Sequence, residues 1–227
     1  MRIALLIDSL VGGGSEGVVA RLAIGLAERG HDVFLHCLKH AGTVIDVPRL
    51  TIVSHGCGTS PDGGTGFQPV PGGQSRDWTL PIRLARRFRD DGVEIVHAHS
   101  CAALCTALPA AKWLGLPVVH VRHGWPVGRQ SRYSWLADRL SMFVTRVVIN
   151  CSSSRDRLPG GRVRQAAVHI PNGTTVQPVE PAAARRAIEA ICRRSLPGPI
   201  ILSVANIRPE KDPITLLRAF AVLRRRF

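Results

Sequence analysis

The first 30 residues restrict the fold more than any other stretch. Arg2 to Ile7 is a short, nearly unbroken apolar run that halts at Asp8, and three consecutive glycines, Gly12 to Gly14, follow. A run of that length without polar alternation is what a strand buried on both faces of a parallel sheet requires. From Ser15, residues Val18, Val19, Leu22, Ala23 and Leu26 recur at helical spacing, and the pattern stops at Gly30. Glycine just past a helix tolerates the left-handed backbone that closes the last turn.

The same alternation continues along the chain. Val33 to Leu38, Leu50 to Val53, Val93 to Val96, Pro117 to Val121, Val147 to Ile149 and Ala167 to Ile170 read as strands. Pro81 to Arg89, Ala102 to Leu114, the stretch near Trp135 to Val144 and a segment capped by one of Ser152 to Ser154 read as helices. Strands alternating with helices imply βαβ units and a doubly wound, Rossmann-like α/β parallel sheet. Residues 56–76 are rich in Gly, Pro, Ser and Thr with no period that could bury a face, so a floppy surface insertion is expected there.

Residues 1–175 are expected to form one domain, and 176–198 a linker containing a helix from Pro181 to Arg194. Residues 199–227 carry a strand, Ile200 to Val204, and a helix, Pro213 to Phe227, capped by Asp212. A lone strand and helix cannot close a second core, so this part reads as the start of a second Rossmann-like domain and the chain as truncated.

Composition narrows the partners. Hydrophobic residues make up 45% of the 227, enough for a core, and 30 Lys plus Arg against 16 Asp plus Glu give a formal charge of +14. That balance excludes an acidic disordered chain. Residues 1–75 hold five basic and six acidic groups, so the basic excess lies wholly in 76–227. Only Lys39, Lys112 and Lys211 among the basic residues are lysines. Guanidinium forks suit phosphate or carboxylate, which points to nucleotide phosphates, lipid headgroups or nucleic acid, unless the arginines merely solvate helices. Nucleic acid is not expected, because neither interleaved aromatics nor a groove-reading motif accompanies the charge. The longest apolar run, Ala98 to Ala111, is broken by His99 and Pro109 and is too short to span a bilayer. No signal-peptide core follows Arg2, so a cytoplasmic protein is expected, with Cys37, Cys57, Cys101, Cys105, Cys151 and Cys192 as thiols.

Ligands of a doubly wound sheet collect at the carboxyl ends of its strands, where the glycine loop sets bare amides at a helix N-terminus and forms an anion site. Gly12, Gly14 and Gly17 meet the dinucleotide spacing, but His36 and Cys37 occupy the strand end where a ribose-binding acid belongs, which argues against nicotinamide or flavin. A tight turn without a ligand is the plain alternative.

His97 and His99 end one strand, alternation points them to one face, and Arg122-His123-Gly124 follows the next strand, so two histidine loops should face one cleft. Neutral imidazole can position or deprotonate a hydroxyl, although His123 could equally be a hydrogen-bonded structural residue. With Cys101 and Cys105 the histidines suggest zinc, but the spacing fits no standard site, and helix-packing thiols explain them better. The segment from Asn206 to Pro213 brings Arg208 and Lys211 to a strand end, suited to clamping a diphosphate unless it is only an exposed charged turn.

Six stretches in order, LVGGGSEGVVARLAIGLAERGHDV, VEIVHAHS, LPVVHVRHG, VVINCSSSRDRL, VHIPNG and ILSVANIRPEKDPITLLRAFA, resemble the retaining family 4 of the GT-B glycosyltransferases. The resemblance implies two Rossmann-like domains, the first binding an acceptor and the second a nucleotide-sugar donor. Gly13 and Gly14 would approach the donor diphosphate, His123 matches the active-site histidine beside the transferring sugar, and His99 and Glu16 lie where acceptor contacts are expected. Arg208 and Lys211 would stabilise the leaving diphosphate, so no metal or other cofactor is expected. The acceptor would be a glycan or a lipid-linked precursor of the cell envelope, reached by peripheral contact with anionic membrane. Two departures stand out. Ala205-Asn206 replaces the glycine that normally precedes the phosphate arginine by two positions, and the paired glutamates of the donor domain are not in these 227 residues. The competing reading is a non-catalytic, glycosyltransferase-like binding module that associates through exposed interdomain surface.

Overall fold

The structure, a computed structural model, describes residues 1–11, 13–39, 41–42, 45–56, 77–124, 132–174, 178–205, 207 and 211–226. The expected insertion at 56–76 lies outside these residues except for Gly56. The described residues fall into two compact units, Met1–Gly173 and Thr174–Phe227.

The first unit is a seven-stranded sheet: β1 (Arg2–Ile7), β2 (Asp32–Cys37), β3 (Leu50–Ser54), β4 (Ile95–Ala98), β5 (Val118–Arg122), β6 (Arg146–Ile149) and β7 (Ala167–His169). Its order is β3-β2-β1-β4-β5-β6-β7, and every neighbouring pair is parallel. The strand order reverses at β1, which pairs with β2 on one side and β4 on the other. That reversal opens a crevice beyond the carboxyl ends of β1 and β4, the ligand position of open α/β sheets.

Alternation explains why β1 is apolar throughout. Ile3, Leu5 and Ile7 join Val33, Leu35 and Cys37 of β2 under α1 (Gly14–Glu28), whose Val19, Ala23 and Ala27 are buried. Ala4 and Leu6 face the opposite layer, with α2 (Leu80–Asp90) and α3 (Cys101–Trp113) contributing Leu84, Phe88 and Leu104. Each such Leu or Phe contributes about 1.5–3 kcal/mol by leaving water. A smaller cluster of Val147, Ile149, Leu158, Val163 and Ala167 holds β6, β7 and α5 (Gly160–Gln165) together. At the end of α1, Gly30 takes φ 83° while His31 N–H donates to the Leu26 carbonyl at 3.2 Å, the closure expected from its position after the apolar period.

Several boundaries differ from the sequence reading. The fourth strand begins at Ile95 rather than Val93, because Val93 N–H donates to the Phe88 carbonyl at 2.8 Å and belongs to the end of α2. The stretch near Trp135 divides into α4 (Arg132–Leu140) and a 3₁₀ turn at Ser141–Phe143. No serine side chain caps the next segment, which is a 3₁₀ turn at Ser152–Arg157 before α5.

Arginines do structural work here as well as carrying charge. Arg155 donates to the carbonyls of Arg164 and Ala167 at 3.1 and 3.0 Å, and Arg164 to those of Leu158 and Asp156 at 3.1 and 3.0 Å. These guanidinium groups tie the 3₁₀ turn, α5 and the start of β7 together through their carbonyls.

The second unit contains α6 (Pro181–Cys192), capped by Glu180 accepting from Ala183 N–H at 2.9 Å, and α7 (Pro213–Arg226). Asp212 caps α7 as expected, accepting from Thr215 N–H at 3.2 Å. The expected strand at Ile200–Val204 is not one: among the described residues, 200–204 pair with no strand. A strand needs a neighbour for its backbone groups, and this segment keeps Leu202 66% and Val204 87% exposed.

Candidate functional site

The carboxyl ends of β1, β4, β5 and β6 bring the site together from one edge of the sheet. After β1 the chain turns into α1, with Gly13 as an extended N-cap residue and its carbonyl accepting from Gly17 N–H at 3.1 Å. A methyl group on Gly14 would meet nothing within 4 Å, whereas one on Gly13 would fall 2.2 Å from Glu16 Oε2. The Glu16 carboxylate therefore lies over Gly13, and Ser15 Oγ donates to the same Oε2 at 2.7 Å. A carboxylate on the first turn is favoured by the partial positive charge of the helix N-terminus, the property that would attract a phosphate. Gly12 lies outside the described residues.

The histidines expected at the ends of β4 and β5 meet there. His99 Nδ1 and His123 Nε2 are hydrogen-bonded at 3.2 Å, with ring centroids 5.4 Å apart and planes 23° from parallel. His97 also stacks against His99, at 6.1 Å between centroids. Burial lowers the pKa of His97 to about 4. His99, 3% exposed, is held well below the ordinary imidazole value, first by burial and then by His123, His97 and His120. Burial also lowers His123, while the Glu16 carboxylate pulls in the other direction. Near neutrality the three rings are uncharged. His97 Nδ1, His99 Nε2 and His123 Nδ1 are buried without a hydrogen-bond partner. Orphaned buried polar atoms are costly, so each calls for an explanation, a catalytic role among them.

Groups that sequence reasoning did not single out hold this edge in place. Ser100 Oγ donates to Asp8 Oδ1 at 2.6 Å and accepts from Ala103 N–H at 2.9 Å, so it caps α3 while tying it to the end of β1. Asn150, just past β6, donates from Nδ2 to the His123 carbonyl at 3.3 Å. Ser100 had a legible signal, since serine before an apolar helix is an N-cap pattern. Asn150 had none. Arg122 does not share the cleft with His123: alternation turns it to the other face, where it is 3% exposed and ion-paired with Asp138 of α4. A second imidazole pair, His36 with His55 at 3.0 Å, lies where a dinucleotide site would need an acid. Burial, followed by His55 and Arg87, pushes His36 down to about 3.

Gly13, Gly14, Glu16, His99 and His123 thus belong to one edge of the first unit. Lys211 is exposed in the second unit, and Arg208 lies outside the described residues. Among the described residues, no group of three His, Cys, Asp or Glu is placed to hold a metal ion, and no helix is long and apolar enough to cross a membrane. Cys101 and Cys105 sit on α3 against the core, and burial raises both thiol pKa values, that of Cys105 to about 12.

A parallel Rossmann-like sheet with its open edge at a β1/β4 switch point defines the class, an α/β domain matching those of GT-B glycosyltransferase structures. Residues 12–177 match the pattern of Glycosyltransferase Family 4, and the chain belongs to that family. No curated protein matches the sequence. Among solved structures, a glycosyltransferase from Rickettsia africae is similar with a TM-score of 0.66 at 16% identity, covering 99% of this chain and 57% of that one. HepE from Anabaena, in complex with UDP and glucose, gives 0.62 at 15% identity, covering 85% and 50%. Sucrose-phosphate synthase from Thermosynechococcus elongatus gives 0.57 at 16% identity, covering 83% and 52%. The chain spans about half the length of these structures.

Proposed function

We propose that this chain is the acceptor-side portion of a retaining transferase, moving a sugar from a nucleotide-sugar donor to a glycan or lipid-linked acceptor. The observation that carries the reading is the pairing of His99 with His123 at 3.2 Å on the sheet edge that also bears the Gly13–Gly14 helix start. HepE has been solved with UDP and with UDP-glucose, which supports a nucleotide-sugar donor.

In this reading the amides at Gly13 and Gly14 approach the donor diphosphate, and Glu16 swings off Gly13 as it arrives. Arg208 and Lys211 neutralise the charge that grows on the leaving diphosphate, so side chains rather than a metal supply that stabilisation. Neutral His123 hydrogen-bonds the transferring sugar. Glu16, and His99 through His123, serve the acceptor side. The departing phosphate takes the acceptor hydroxyl's proton as the new bond forms on the same face, which retains the anomeric configuration. The protein would work in the cytoplasm against anionic membrane, supported by the exposed arginines of α2 (Arg83, Arg86, Arg87, Arg89) beside exposed Trp78 and Ile82.

Calorimetric titration with UDP- and GDP-sugars, on this chain and on the chain joined to a complete donor domain, tests the reading. Saturable binding of one nucleotide class supports it, and no binding by either protein overturns it. A second reading, a non-catalytic binding module, is favoured by the exposed apolar side chains of the second unit, among them Ile201 at 62%, Leu202 at 66% and Leu217 at 67%. Concentration-dependent association in sedimentation, without nucleotide-sugar binding, would select it.

A further inference from the structure

We infer that His99 is a positioning residue that sets which nitrogen of His123 carries the proton, so that the two imidazoles share one tautomer and act as a unit. The inference rests on the transferase reading only for its chemical consequence.

The contact joins His99 Nδ1 to His123 Nε2 at 3.2 Å. A hydrogen bond needs one N–H and one lone pair, and a neutral imidazole has one of each. If His99 donates from Nδ1, His123 Nε2 is bare and its proton sits on Nδ1, so both rings are Nδ1–H tautomers. If His123 donates from Nε2, His99 must carry its proton on Nε2, and both rings are Nε2–H tautomers. Unlike tautomers would bring two hydrogens or two lone pairs face to face.

Neutrality of both rings is enforced by the surroundings: burial, with His97 of β4 and His120 of β5, lowers His99, and burial lowers His123 against the opposing pull of Glu16 of α1. The frame is fixed from both sides. His99 N–H donates to the Leu6 carbonyl of β1 at 2.8 Å, and Asn150 holds the His123 carbonyl at 3.3 Å. At 3% exposure, His99 acts through His123 rather than on a ligand itself. Its choice decides whether His123 Nδ1, which has no protein partner, offers a donor or an acceptor to a sugar hydroxyl.

Long-range nitrogen correlation spectra of the chain labelled at histidine nitrogens, recorded near pH 7.5 without substrate, read the tautomers directly. Like tautomers at His99 and His123 are expected, with His123 losing its single-tautomer signature in His99→Phe. Unlike tautomers in the natural chain, or a His123 spectrum that His99→Phe leaves unchanged, would overturn the proposal. Should His99→Phe fail to fold, the tautomers of the natural chain decide. No nucleotide-sugar enters this experiment, so its failure leaves the transferase reading standing, and failed donor titrations leave the tautomer result standing.

Discussion

Ser100 Oγ hydrogen-bonds Asp8 Oδ1 at 2.6 Å, which joins the end of β1 to the first turn of α3 across the switch point of the sheet. The same hydroxyl caps α3, so Ser100→Ala removes two interactions and leaves the Asp8 oxygen without this donor. Loss of a serine cap alone costs about 1 kcal/mol, and a hydrogen bond to a charged group about 1.5–3 kcal/mol. Urea denaturation should show Ser100→Ala destabilised by about 2.5–4 kcal/mol, and Ser100→Thr by less than half of that. Equal losses would mean that the hydroxyl is not the source.

Arg122 is buried on the opposite face from His123 and pairs with Asp138 of α4. Removing Asp138 takes one charged hydrogen-bond partner from the buried Arg122 guanidinium, a loss of about 1.5–3 kcal/mol. Asp138→Ala should lose that much stability in chemical denaturation. Arg122→Met with Asp138→Leu should recover most of it, because a hydrophobic pair of similar volume removes both desolvation costs. A double variant as unstable as the single one would show that the charges are needed for more than each other.

At Gly13 the backbone is extended, with φ −145°, a conformation open to any residue. The atom that a methyl group would meet at 2.2 Å is the far end of the flexible Glu16 side chain, which can swing aside. Gly13→Ala should therefore change stability by less than about 1 kcal/mol, the scale of a carboxylate leaving a helix N-terminus. Nucleotide-sugar binding should weaken at least tenfold, because the methyl group stands between the backbone and the diphosphate. A variant that melts early, or binds normally, would contradict this account of the loop.

Acid should unfold the first unit in a defined range. In the unfolded chain each histidine titrates near 6.5, while His36 and His120 are lowered to about 3 and His97 to about 4. His99 and His123 are lowered too. The unfolded state thus binds more protons below pH 6.5, so stability is complete above that pH and falls as pH drops toward 4. Melting temperature measured from pH 8 to pH 4 should be level and then decline steeply. A level profile down to pH 5 would show that these imidazoles are not held neutral.

Much of the fold was legible because a parallel sheet buried on both faces writes each strand as an apolar run. All seven strands of the first unit were anticipated, several to within a residue. The misplaced start of β4 has a local cause: Val93 is apolar to cover the end of α2, and hydrophobicity alone does not separate that duty from a strand. Ile200–Val204 has a strand's composition, yet pairing is a property of two segments and cannot be read from one. The meeting of His99 and His123 followed from alternation and parallel strand order. Asn150, Asp138 and His55 were not visible, since their roles arise from contacts with residues 27, 16 and 19 positions away.

Amide chemical-shift mapping during titration with UDP- and GDP-sugars, on this chain and on the chain joined to a complete donor domain, tests the site most directly. The account predicts saturable perturbations at Gly13, Gly14 and His123, reduced by Gly13→Ala and absent with glucose alone. Perturbations confined to residues away from the carboxyl edge of β1, β4 and β5, or none at saturating concentrations of UDP- and GDP-sugars, would contradict it.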